Sequence, residues 1–125
     1  MHCIRIVYPK KPGSSFNWEH YYDVHLPLGL SLLAKHCGIA PERVEVDQGI
    51  TADGFDDNVP YHCICSLYFT SREHVDAMVG LFGIEEARQQ LADDWPKYTE
   101  MDPELLVTEV VEAEPGTGRP ILNAA

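Results

Sequence analysis

The sequence predicts an α+β domain whose elements run strand, helix, strand, strand, helix, strand, and three observations carry that prediction. Apolar runs rich in Ile, Val and aromatic residues occupy 3–8, 61–69 and 105–111, each followed within a few residues by Pro, Gly or Ser, as buried strands bounded by turns are. A fourth run, Arg43-Val44-Glu45-Val46-Asp47-Gln48-Gly49-Ile50, alternates apolar and polar residues, the period of a strand with one solvated face. Two stretches with helical caps and helical spacing, beginning near Asn17 and Thr70, separate these strands. The order is that of the ferredoxin-like split βαβ unit, a four-stranded antiparallel sheet with two helices on one face.

Each element follows from local chemistry. The first strand ends at the breaker run Pro9-Lys10-Lys11-Pro12-Gly13-Ser14-Ser15. Asn17 then offers an N-cap, Glu19 suits the positive end of the helix dipole, and Phe16 can staple onto Tyr21. This helix is expected to run to Cys37, where Gly38 takes a left-handed cap and Pro41 prevents resumption. Pro27 lies inside it, where it deletes a backbone donor, crowds the carbonyl four residues back and costs about 3 kcal/mol. The expected result is an orphaned Asp23 carbonyl and a kink just past His25.

Residues 43–50 read as an edge strand, 51–60 as an acidic turn-rich loop, and 61–69 as a central strand apolar on nearly both faces. Thr70-Ser71-Arg72-Glu73 reads as a capping box leading to Val75, Met78, Val79 and Phe82 at helical spacing, with Gly83 as terminator. A shorter helix spans Ile84 to about Asp93, and 105–111 forms the last strand. In the split βαβ order that strand lies beside the first, so Glu109 is expected to pair with Arg5. The chain divides into a domain over 1–113 and a loose tail over 114–125, where Pro and Gly recur.

Composition bounds the function. A 125-residue chain makes one domain that buries about two-thirds of its unfolded surface. Its net charge of −11, from 20 acidic and 9 basic residues, argues against nucleic acid and anionic membranes, both of which call for clustered Lys and Arg. No stretch approaches the ~20 apolar residues of a spanning helix, and the opening carries no signal-peptide pattern, so the chain is expected to be soluble and cytoplasmic. Cys3, Cys37, Cys63 and Cys65 are expected to be free thiols, since a domain with a real core needs no disulfide staples. Cys63-Ile64-Cys65 is not CxxC, and His25 and His36 lie roughly 16 Å apart along a helix, so no metal site is expected. A central strand apolar on both faces calls for cover on both, and the bare sheet face is therefore expected to meet a second copy in a homodimer.

The candidate chemistry centres on His25. Tyr21 and Tyr22 precede it by four and three residues, so either phenol can neighbour the imidazole on the helix surface. An imidazole that titrates near 6.5 gives or takes a proton at neutral pH, and a phenol beside it can donate to a developing oxyanion. Trp18 and Leu28 belong to the apolar surroundings. His62, on the central strand, and Trp95 and Tyr98, on the loop after the second helical region, complete a candidate pocket for an apolar substrate. A brace role for His25, bonded to a backbone carbonyl across the kink, stands as the structural counterpart. Asp23, two residues from His25, is placed on the solvent face.

Tyr8-Pro9 after the first strand, Phe16, Tyr21-Tyr22, His25-Leu26-Pro27-Leu28, Phe69 before a capped helix, and Asp94-Trp95-Pro96-Lys97-Tyr98-Thr99 leading to Pro103 and Thr108-Glu109-Val110 together resemble the EthD family. The resemblance spans roughly residues 3–112. It implies the dimeric α+β barrel fold, whose relatives include small cofactor-free monooxygenases, muconolactone-type isomerases and polyketide cyclases. The family takes its name from ether degradation, and its members are often labelled oxidoreductases. Lys97 departs from the pattern, in which Asn commonly follows the proline, and the tail after Glu114 lies outside it. The combined expectation is a small enzyme without a prosthetic group or other cofactor, using His/Tyr acid–base chemistry of oxidoreductase or isomerase/cyclase type on an apolar carbonyl or phenolic molecule. Two alternatives remain open: a non-catalytic binder of an apolar metabolite or oxygenase accessory protein, and a haem-binding relative with His25 as axial ligand. No phosphate-cradling glycine motif supports a nucleotide-dependent reductase.

Overall fold

The computed structural model describes residues 1–50 and 60–122; the acidic loop, Pro60 aside, lies outside the described residues. Four strands, β1 (His2–Pro9), β2 (Arg43–Gln48), β3 (Tyr61–Phe69) and β4 (Glu104–Glu109), form one sheet in the order β2-β3-β1-β4, and every neighbouring pair is antiparallel. The helical segments are α1 (Trp18–His20), a π turn (Tyr21–His25), α2 (Leu26–Cys37), α3 (Arg72–Leu81) and α4 (Glu85–Asp94), with a short 3-10 turn at Trp95–Lys97. α3 packs on β1 and β3, and α2 packs on α3 and α4. This is the ferredoxin-like arrangement, with the helices on one face of the sheet. No helix among the described residues is long and apolar enough to cross a membrane.

Alternation along β3 sorts the layers. Cys63, Cys65, Leu67 and Phe69 are buried in the main core with Ile4, Tyr8, Leu33, Val75 and Leu81. β2 lies at the sheet edge with only Val44 and Val46 partly covered, as its polar alternation requires. The opposite face is less apolar than expected. There Arg5 Nη1 donates to Ser66 Oγ at 2.6 Å, and the Arg43 and Arg5 guanidinium groups lie 4.2 and 5.9 Å from the centre of the Tyr68 ring in cation–π contact.

Three local expectations are corrected. Arg5 does not pair with Glu109: the register sets Arg5 opposite Leu106 and Glu109 opposite His2, three residues along an extended strand and so about 10 Å away. The N-cap of α3 is Ser71 and not Thr70, since the Ser71 side chain accepts from the Glu73 backbone N–H. The first helix absorbs Pro27 differently from a simple kink. The Leu26 N–H bonds the Tyr21 carbonyl five residues back, and Pro27 stands in the first turn of α2. Widening the turn ahead of the proline accommodates a residue that a regular α-helix interior rejects. The other caps match their sequence signals. Asn17 Oδ1 accepts from the His20 N–H, the Phe16 and Tyr21 rings meet edge-on at 5.2 Å, and Gly38 closes α2 at φ 67° with its N–H on Ala34. Beyond β4 the chain turns back on itself, Ala113 bridging to Pro120.

Candidate active site

The π turn sets the site. Within it Tyr21 and His25 are both buried and their rings stack, 5.9 Å apart and 16° from parallel. Tyr98 packs against both rings, its centre 4.5 Å from that of His25 and 5.2 Å from that of Tyr21. A residue that the spacing rules did not single out completes the arrangement: Asp94, the last residue of α4. Its Oδ2 lies 2.9 Å from His25 Nδ1, and its Oδ1 lies 2.8 Å from His20 Nε2. Lys97 Nζ approaches the same Oδ1 at 3.9 Å from the solvent side.

The electrostatics follow from this geometry. A carboxylate at a helix C-terminus faces the negative end of the dipole, and Asp94 is only 4% exposed. Burial raises its pKa, yet the bonds from His20 and His25 outweigh burial and hold the carboxyl below its ordinary 3.8. An ionised carboxylate only accepts hydrogen bonds, so both imidazoles must donate to it. His25 is thereby fixed as the tautomer with its proton on Nδ1 and a lone pair on Nε2, a nitrogen without a partner among the described residues. Burial lowers the His25 pKa below 6.5, and Asp94 only partly offsets this. The imidazole is therefore neutral at pH 7.

His25 borders a cavity of about 290 Å³ between helices and sheet. Its walls come from Ile6, Cys65 and Leu105 on the sheet, Leu26, Gly29 and Leu30 on α2, and Met78, Leu81 and Leu91 on α3 and α4, with Pro103 just ahead of β4. A cavity of about 150 Å³ takes one benzene ring, so this one suits a substituted ring or a small bicycle. Cys65 offers no nucleophile there, because burial pushes its thiol up to about 11. Two buried tyrosines form a hydroxyl pair, Tyr98 Oη donating to Tyr8 Oη at 3.0 Å, and Tyr8 also lines the cavity.

The sequence-selected residues separate into groups. His25, Tyr21 and Trp95 line the cavity. The Tyr21 hydroxyl is buried without a hydrogen-bond partner among the described residues. Tyr22 lies outside the cavity, 39% exposed, and its Oη accepts from Gln48 at 2.7 Å. Trp18 stacks on Tyr22 and packs on Phe16, and Leu28 packs against the core without lining the cavity. His62 bonds Ser14 Oγ at 2.9 Å away from the cavity. Tyr98 packs against His25 and Tyr21 without lining the cavity. Asp23 is exposed, as its position on the helix dictates.

His20, Asp94 and Tyr8 are the residues that spacing arguments missed. Asp94 did carry a signal, as a carboxylate at the unfavourable end of a helix heading the Asp94-Trp95-Pro96-Lys97-Tyr98 run. Among the described residues no group of three His, Cys, Asp or Glu side chains is arranged to hold a metal ion.

The EthD domain matches residues 14–102, well over half the chain and the whole span from Phe16 to Tyr98. The chain belongs to the EthD family. Among solved structures, this EthD chain resembles an EthD-like protein from Ralstonia eutropha, 23% identical with a TM-score of 0.68 over 92% of this chain and 96% of that one. It also resembles an EthD family protein from Bacillus halodurans, 17% identical at 0.56 over 88% and 98%. A protein from Arabidopsis thaliana aligns at 0.53 with 11% identity over 90% and 97%. At these identities the likeness is one of fold. No curated protein matches the sequence.

Proposed function

We propose that this EthD protein is a small enzyme in which His25, oriented by Asp94, acts as a general base on an apolar carbonyl or phenolic molecule held in the cavity. One observation carries the reading: the 2.9 Å bond from His25 Nδ1 to a buried carboxylate, which leaves Nε2 as the proton acceptor of an imidazole lining an apolar cavity. A neutral imidazole held in one tautomer is primed to take a proton, and such bases contribute about 10²–10⁴-fold to rate.

For a carbonyl substrate the step is enolisation. The bond from the α-carbon to hydrogen breaks, the N–H bond forms at Nε2, and the electron pair moves through the new C=C bond onto oxygen. Return of the proton to another carbon isomerises the substrate, and attack of the enolate on a second carbonyl cyclises it. Neither outcome draws on a prosthetic group. The reading replaces the expected His/Tyr pair with a His/Asp pair, since the Asp94 carboxylate bonds the imidazole and the Tyr22 hydroxyl is bound to Gln48 outside the cavity. Two copies joined through the open sheet face make the working unit in this reading, supported by the half-exposed Leu106 on that face. Light scattering at micromolar concentration tests the dimer, and a monomer rejects it.

The test of the base is deuterium incorporation. Enolisable ketones of one-ring size, incubated with the protein in D2O and followed by proton NMR, exchange their α-hydrogens faster with wild type than with His25→Gln. Equal rates for the two proteins remove His25 from catalysis.

A further inference from the structure

We propose that the Tyr98–Tyr8 hydroxyl pair is the oxygen-binding element of this cavity, with Tyr8 as the donor, and that the cavity admits uncharged molecules and rejects anions of the same size. The proposal deepens the reading of His25 as a base, since it names the group that would hold the reacting molecule's oxygen, but its binding claim stands on separate atoms.

Counting protons gives the first argument. Each phenol has one hydrogen to donate. That of Tyr98 is committed to Tyr8 at 3.0 Å, and Tyr98 does not line the cavity. The proton of Tyr8 remains. It does not go to Tyr21, whose hydroxyl lacks any hydrogen-bond partner. Tyr8 lines the cavity and is only 1% exposed, so leaving that proton unused in an apolar cavity would carry the desolvation penalty of an unmade hydrogen bond. A ligand oxygen satisfies it. Accepting from Tyr98 also polarises the Tyr8 hydroxyl and strengthens its outgoing bond, as linked hydrogen bonds do. Burial raises the pKa of both phenols, so both stay protonated across the range in which the protein works.

Charge gives the second argument. Among the described residues no Lys or Arg contributes to the cavity wall, and the acidic groups there are Glu104, at the start of β4 on the wall itself, and Asp94, bonded to His25. An anionic ligand would lose its hydration without gaining a counter-charge. A phenol or ketone meets no such penalty. Its oxygen accepts from Tyr8, and its acidic hydrogen, on oxygen or on the α-carbon, has the free nitrogen of His25 as acceptor.

The experiment measures binding of three probes of similar size by isothermal titration calorimetry: p-cresol, toluene and 4-hydroxybenzoate. Wild type is expected to bind p-cresol saturably and at least about tenfold more tightly than either of the others, the value of one hydrogen bond. Tyr8→Phe and Tyr98→Phe both remove the tyrosine–tyrosine bond and should lower the melting temperature by similar amounts. Only Tyr8→Phe removes the donor. It should weaken p-cresol about tenfold, toward the toluene value, while Tyr98→Phe weakens it less than about threefold. Equal affinity losses in the two variants, 4-hydroxybenzoate binding as tightly as p-cresol, or no saturable p-cresol binding at millimolar concentration would each overturn the proposal. A protein that binds p-cresol through Tyr8 yet accelerates no proton exchange leaves this inference standing and rejects the catalytic one.

Discussion

Two backbone irregularities in this fold each carry a histidine, and they differ in what they give it. The π turn at Tyr21–His25 inserts one extra residue into a helix. The head of β3 inserts one into a strand, because Tyr8 pairs with Cys63 and Pro9 with Tyr61, so that His62 is passed over. Such bulges re-aim side chains and cluster near sites of chemistry. His25 receives a buried carboxylate from a segment 69 residues away and an apolar cavity on its other side. His62 receives a serine hydroxyl and a Phe16 neighbour at 5.6 Å, and it does not line that cavity. An irregularity is therefore not enough to make a base. The carboxylate fixes the tautomer, and the apolar wall makes the free nitrogen matter.

The largest expected effect tests that contrast directly. His25→Gln should slow deuterium exchange by about 10²-fold or more, whereas His62→Gln should leave the rate within the scatter of the wild type. Comparable losses at both positions would erase the distinction between the two bulges. Asp94→Asn comes next. Asn has one acceptor and one donor face, so one of its two imidazole partners meets an N–H and must rotate or change tautomer. The expected outcome is a smaller rate loss than for His25→Gln together with a stability loss of about 2 kcal/mol, typical of losing a hydrogen bond to a charged group. Chemical denaturation of the variant beside wild type checks it.

The pH dependence of stability sharpens the comparison further. His25 has its folded pKa held below 6.5 by burial, and His62 is lowered the same way, helped by Lys10. In each case the unfolded chain binds the proton more readily, so stability is fully present above about pH 6.5 and falls as pH drops toward the lowered folded values. Asp94 acts at lower pH with the same sign, its contribution lost as pH falls below 3.8 toward the folded value. Denaturation midpoints between pH 8 and 5 should fall less steeply in His25→Gln than in wild type; identical slopes would assign the effect elsewhere.

The smallest effects concern groups that pack without bonding. Gly29 lines the cavity, and a Cβ built there meets nothing within 4 Å. Gly29→Ala should raise stability by about 0.5–1 kcal/mol through helix propensity while weakening binding of ring-sized molecules. A stabilised variant with unchanged affinity would mean that the cavity is not where ligands sit. Tyr21→Phe removes a buried hydroxyl that makes no bond, and its melting temperature should stay level or rise.

The sequence by itself determined the sheet, its helical face and both ends of the first helix, because strand alternation, caps and breakers are local signals that tertiary packing seldom overrides. Asn17, Gly38 and the alternating pattern of β2 each stand where their chemistry places them. It also singled out His25. What it left to the tertiary structure was the partner. Asp94 reaches His25 only because α4 ends beside the π turn, and His20 joins it because residues five apart fall close to one turn of a π-helix and on different faces of an α-helix. The Arg5–Glu109 pairing failed for a related reason, since adjacency of strands does not fix register. Spacing rules assume regular geometry, and the site of this protein is built where the geometry departs from it, on contacts whose energies depend on burial that only the folded chain supplies.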